Sequence, residues 1–201
     1  MDHKANLNHS VIGELVKVFG IIANDIKNEI TFKKFIEDTY GITKIANTDD
    51  NIIFGKLKDL AQRRNDVSHG ATGIELLSNE ISLGYIEFVK QYAKALYQVF
   101  LKQLIKYKIK HKSEPIILVG KKVINNLIIC ASVEDRIIEK GDKILIETSE
   151  EYYQSRNIES IEINKEAKPR VEVTVKTDVG LKVSDGEPKI KKTHKFYFEK
   201  N

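Results

Sequence analysis

Eight consecutive residues, Arg63-Arg64-Asn65-Asp66-Val67-Ser68-His69-Gly70, hold the densest set of reactive side chains in this 201-residue chain. A guanidinium is permanently charged and grips a phosphate with two donors, while an imidazole exchanges a proton near neutral pH. Arg64 and His69 together therefore suit phosphodiester cleavage, in which a proton moves while negative charge grows on phosphoryl oxygens. On a helix, five residues advance roughly 140° beyond one full turn, so the two side chains do not lie one above the other. A place on a fraying last turn beside Gly70 would let His69 swing toward Arg64 or toward a second subunit, and one protomer alone gives an incomplete site. The same residues also fit a structural part. A His near a helix C-terminus meets the dipole favourably, and Arg63 and Arg64 can answer Asp59 and Asp66 as solvated pairs. Spacing alone leaves both readings open.

The elements that must position this block are helical. Val11, Ile12, Leu15, Val18, Phe19, Ile22 and Ile26 recur at three- and four-residue steps, which predicts a helix from about Ser10 to about Ile30. Thr31 can cap a second, through Phe32, Phe35 and Ile36 to about Gly41. A third begins after Thr48-Asp49-Asp50 and runs toward His69, with Gly70 as its stop. From Ser78, Ile81, Tyr85, Phe88, Val89, Tyr92, Leu96, Val99, Phe100 and Leu104 describe a long fourth helix that fades into the lysine-rich stretch 106–112. Four such helices imply an antiparallel bundle.

After Ser113 the grammar changes to short β-rich runs, among them IILVG, VINNLIICASV, KILIE, IESIEIN, VEVTVK, VGLKV and KFYF. Glu139-Lys140-Gly141-Asp142 and Ser184-Asp185-Gly186 read as hairpin turns, and Val171, Val173 and Val175 alternate with polar residues as in a strand with one wet face. The prolines, Pro115, Pro169 and Pro188, all lie in this part. The sequence thus reads as an α+β, two-domain chain: a four-helix bundle over residues 1–112 and a small β-barrel over 113–201.

Composition bounds the chemistry further. With 41% hydrophobic and 31% charged residues the chain has the make-up of a soluble globular protein. No apolar run approaches the ~20 residues of a membrane span, and the opening MDHKANLNHS has no export pattern, so a cytoplasmic protein without membrane contact is expected. The net charge of +4 comes wholly from the first 112 residues, which hold 17 Lys and Arg against 13 Asp and Glu. That excess permits phosphate contact and falls short of a dedicated nucleic-acid coat. The single cysteine, Cys130, cannot form an internal disulfide and reads as a small buried hydrophobe in an apolar strand. Zinc-like spacing, Gly-rich phosphate loops and paired-carboxylate patterns are missing, so neither metal nor cofactor is expected. His3, His9, His111 and His194 are scattered without sequence partners. Arg63, Lys106, Lys108 and Lys110 are weaker candidates for RNA contact, with Tyr107 as a stacking face, although such a strip is more often the wet end of a helix. Tyr85, Tyr92, Phe88 and Phe100 read as core or as a dimer interface.

The block from Leu57 to Gly70, set before a long final helix in an all-α domain, resembles the signature of HEPN-domain ribonucleases: Arg, a polar residue, three variable residues, then His. Arg64, Asn65 and His69 match it position by position. The resemblance implies a homodimer that brings two Arg/His motifs together in a basic cleft and cuts RNA without metal. The 2′-hydroxyl would attack the neighbouring phosphorus, leaving a 2′,3′-cyclic phosphate and a 5′-hydroxyl. In that scheme His69 is the general base or acid, Arg64 stabilises phosphoryl charge, and Asn65 orients His69 or a phosphate. One HEPN subfamily carries a modifiable Tyr two positions after its His; here that residue is Ala71, a departure from the nucleotidylated-toxin pattern.

The runs around Lys121-Lys122, Lys140-Gly141-Asp142, Ile158-Glu159-Ser160-Ile161 and Val179-Gly180-Leu181 come in an order similar to the second-domain β-barrel of translation elongation factors. That resemblance implies a barrel able to contact RNA or another protein. The expectation is therefore an endoribonuclease, a toxin or defence effector by resemblance, with RNA, a second copy and a protein regulator or antitoxin as partners. The alternatives are a non-catalytic RNA- or protein-binding module, or an antitoxin-like regulatory subunit.

Overall fold

The computed structural model describes residues 8–70, 77–148 and 152–199. The chain divides into two compact units, Met1–Gln103 and Leu104–Asn201.

Among the described residues the first unit carries six α-helices where the periodicity predicts four: α1 (His9–Lys17), α2 (Ala23–Lys27), α3 (Ile30–Tyr40), α4 (Asp50–Ile53), α5 (Gly55–Ser68) and α6 (Asn79–His111). A 3₁₀ turn at Ile45–Asn47 precedes α4. The predicted first helix is split because Gly20 turns left-handed at φ +73°, and the Asp25 carboxylate accepts from the Ile22 N–H at 3.1 Å to start α2 anew. Val18, Phe19 and Ile22, assigned by periodicity to the apolar face, consequently point outward; Ile26 is buried as the periodicity predicts, and Val16 and Ile21 fill the interior beside it. The predicted third helix breaks at Phe54, which ends α4 and begins α5. Helix α3 starts from Glu29, whose carboxylate accepts from the N–H groups of Thr31 and Phe32 at 2.9 Å, and it ends at left-handed Gly41.

The break at Phe54 has a packing cause. Its ring stacks on His9 at 3.5 Å between centroids and lies parallel to Phe32 at 5.9 Å, while Phe32 meets Phe88 of α6 edge-on at 5.8 Å. This aromatic cluster, with Tyr92, Ile26, Ile36 and Ile53, is the core of the unit. Each such ring buried from water contributes about 1.5–3 kcal/mol.

The second unit begins with the last turns of α6 and continues, among the described residues, as ten strands: β1 (Ser113–Pro115), β2 (Ile117–Ile124), β3 (Ile128–Val133), β4 (Arg136–Glu139), β5 (Lys143–Glu147), β6 (Tyr153–Ile163), β7 (Glu166–Lys168), β8 (Arg170–Val173), β9 (Thr177–Val183) and β10 (Lys195–Glu199). The main sheet is antiparallel in the order β1-β10-β5-β6-β9-β3-β2, with β7 added to β6 and β4-β8 as a separate pair. Its two end strands, β1 and β2, are separated in the chain only by Ile116, so one extended stretch nearly closes the barrel. Ile116 itself donates to the Phe196 carbonyl at 2.8 Å. The interior is apolar, with Ile129, Ile144, Ile146, Leu181 and Phe196 all at or near zero exposure.

Several local expectations change. The run VINNLIICASV is a hairpin, because Asn125 and Asn126 both take positive φ (51° and 56°), as the central pair of a type I′ turn requires, and the Leu127 N–H closes that turn on the Ile124 carbonyl at 3.1 Å. Gly141 does sit in a turn, but β4 and β5 pair with different strands, so that turn is no hairpin; the segment after β9 is none either, since β9 and β10 do not pair. Val171 and Val173 point inward, while Val175 lies past the end of β8 and is exposed. Cys130 is only partly buried, because the alternation along β3 sends Ile129 and Ala131 to the interior and Cys130 to the other face.

Candidate functional site

Helix α5 buries little beyond Leu57, and its second half is held by local polar pairs in place of packing. Arg63 Nε donates to Asp59 Oδ2 at 2.8 Å, Gln62 Nε2 donates to Asp66 Oδ1 at 2.7 Å, and Ser68 Oγ donates back to the Arg64 carbonyl at 2.8 Å. Each pair is four residues apart, the spacing at which side chains meet on one helix face. The Tyr85 hydroxyl of α6 also donates to Asp59 Oδ2. These two bonds, Tyr85 first and Arg63 second, hold the Asp59 carboxyl below the ordinary carboxylate range. The same contact raises the Tyr85 phenol above its usual value. The Lys56 ammonium lies 5.0 Å from the Tyr85 ring centroid and 5.4 Å from that of Tyr40.

Arg64 is exposed, and its Nη2 donates to Asn65 Oδ1 at 2.8 Å. His69 is the C-cap of α5: its N–H still bonds to the Asn65 carbonyl at 2.9 Å, and its side chain is exposed. Gly70 follows at φ +67° and donates to the Val67 carbonyl at 3.1 Å, the left-handed stop that ends many helices. The motif therefore occupies the last turns of one helix. Arg64 and Asn65 are in direct contact, and His69 is joined to them through the backbone bond to Asn65.

Among the weaker candidates, Arg63 is engaged by Asp59. Lys108 forms an ion pair with Glu199. Lys106 places its ammonium 6.0 Å from the Tyr153 ring centroid, and Lys110 is exposed. His3 lies outside the described residues. His9 and His194, scattered in sequence, both find partners: His9 Nδ1 lies 3.0 Å from the Tyr92 hydroxyl, and His194 Nδ1 accepts from the Lys191 N–H at 3.2 Å. The pairing of Arg63 with Asp59 was readable from their four-residue spacing. Sequence reasoning missed Tyr85 as a support of the motif helix, because a contact 26 residues away leaves no local signal.

A cavity of about 660 Å³ lies elsewhere on the first unit, lined by residues that include His9, Lys17, Asp50, Phe54 and Lys58, and none of the motif residues border it. Among the described residues no group of three or more His, Cys, Asp or Glu side chains gathers as a metal centre would require, and no helix is long and apolar enough to cross a membrane.

The RiboL-PSP-HEPN family model matches residues 1–102. No curated protein matches the chain.

Proposed function

The chain belongs to the RiboL-PSP-HEPN family, and from that premise we propose that it is a metal-independent endoribonuclease whose working site is built from Arg64, Asn65 and His69 of two copies. The observation that carries this reading is the exposed cluster at the end of α5, where Arg64 bonds to Asn65 beside the His69 cap. A helix whose final turns bury almost nothing is free to present polar groups to a ligand.

In the proposed reaction the ribose 2′-oxygen attacks the adjacent phosphorus, giving up its proton to one His69. Arg64 balances the charge that develops on the non-bridging oxygens. The bond from phosphorus to the 5′-oxygen breaks, and the leaving oxygen takes a proton from the His69 of the second copy. The products are a 2′,3′-cyclic phosphate and a 5′-hydroxyl. Asn65 acts as a positioning residue through its bond to Arg64. The need for two copies fits the single imidazole of each motif, since base and acid must act on opposite sides of the phosphorus. Exposed Val67 on the motif helix, and Ile81, Leu83 and Ile86 on the helix that follows it, supply apolar surface.

The barrel, similar in its runs to an elongation-factor second domain, would select the RNA or a protein regulator, and a toxin or defence effector in the cytoplasm is the setting this reading favours. The test is cleavage of single-stranded RNA in EDTA. Arg64→Ala and His69→Ala should each slow it by at least ~10²-fold. Binding without cleavage, retained in His69→Ala, selects a non-catalytic module instead.

A further inference from the structure

The end of α6 inside the second unit carries two different faces. Ile105 is buried and Lys108 is paired with Glu199 of β10, which fixes the inner face. The opposite side presents Lys106, Tyr107, Lys110 and His111, all exposed. From Leu104 to Lys112 the sequence contains no acid. Lys106 and Lys110 form one column four residues apart, and Tyr107 and His111 form the neighbouring column, with ring centroids 4.8 Å apart. Each column rises about 6 Å per step along the helix. Tyr107 is 55% exposed, so a ring face is open to stacking.

We propose that this face is a docking surface for single-stranded RNA, with Lys106 and Lys110 on successive phosphates and the Tyr107-His111 column against the bases. It rests on the nuclease reading and deepens it by giving the unpaired strand a holding surface outside the motif. Cations beside open rings fit a single strand, whose bases are free to stack, better than a duplex, whose bases are already stacked. The pairing of Lys108 with Glu199 divides the lysine run: Lys108 is held inward, while Lys106, 6.0 Å from the Tyr153 ring centroid, and Lys110 stay exposed on the other side.

The test uses the full chain carrying His69→Ala, so that RNA stays intact, and reads binding of a fluorescent oligo-uridylate by anisotropy over a salt series. Adding Lys106→Gln and Lys110→Gln should weaken binding about tenfold and flatten the slope of log affinity against log salt by about 1.4, the value for two phosphate contacts on a single strand. Tyr107→Ala should weaken binding at least about fivefold while leaving that slope unchanged. Unaltered affinity and slope in the folded Lys106/Lys110 variant would overturn the proposal, as would absence of oligo-uridylate binding or equal displacement by polyglutamate, which would point to an acidic protein. Because cleavage is not measured, a failure of the nuclease assignment leaves this result readable by itself.

Discussion

Tyr85 of α6 donates its hydroxyl to the carboxylate of Asp59 on α5, the same oxygen that accepts from Arg63, the residue just before Arg64. The motif helix, almost without buried apolar surface in its second half, is thereby tied to the long helix by a polar contact. Tyr85→Phe removes this tie and should lower the stability of the first unit by about 0.5–1.5 kcal/mol, read from denaturant unfolding. RNA cleavage should fall by a smaller factor than in His69→Ala, since the reacting groups themselves remain.

Gly70 gives a second test of how the motif is presented. At φ +67° a side chain is strained, yet a Cβ there meets none of the described residues within 4 Å, so the cost expected is one of backbone conformation. Gly70→Ala should destabilise by about 1 kcal/mol, and Gly70→Asn by less, because Asn tolerates the left-handed region. Thermal unfolding of the pair checks both.

His9 predicts a pH dependence. Its ring is stacked on Phe54 and bonded to Tyr92, its Nε2 is buried with no partner among the described residues, and burial holds its pKa below the ordinary 6.5, against the nearby charge of Asp50 and with that of Lys27. The folded state resists a proton that the unfolded chain accepts. Stability is therefore fully present above about pH 6.5 and declines as pH falls from there through the lowered folded value. The denaturation midpoint of the wild type should drop on going from about pH 7.5 to about pH 5, and His9→Gln should flatten that drop. An equal pH slope in both proteins would contradict it.

The barrel has its own weak point. Ile144 of β5 is fully buried in the barrel core, and Ile144→Ala should cost about 2–5 kcal/mol by opening a cavity there. Circular dichroism of the purified variant should show β structure melting earlier, and the oligonucleotide affinity of the α6 end should fall with it.

Much of this was legible from local chemistry. The long final helix follows from its periodic apolar set, Gly41 and Gly70 end helices as glycine does, and the change to β-rich runs after Ser113 marks the barrel. The motif itself is a contiguous block, so sequence alone singles it out. What escaped depends on distance in the chain or on direction in space. Val18 and Ile22 have helical spacing, but the reversal at Gly20 turns them outward, and periodicity carries no information about where a chain bends. His9 looked isolated because its partner, Tyr92, lies 83 residues away. The Asn125-Asn126 turn was hidden inside an apolar run, since its signal is a pair of left-handed residues and not a break in hydropathy. Lys108 reads like its neighbours until β10 brings Glu199 to it.

The central claim is that His69 and Arg64 drive attack by the ribose hydroxyl, and the chemistry of the cut ends tests it most directly. Wild-type protein incubated with single-stranded RNA in EDTA should leave 2′,3′-cyclic phosphate and 5′-hydroxyl termini, resolved by mass spectrometry, with the same ends missing from the His69→Ala reaction. Termini bearing 5′-phosphate, or cyclic-phosphate ends produced undiminished by His69→Ala, would contradict the account.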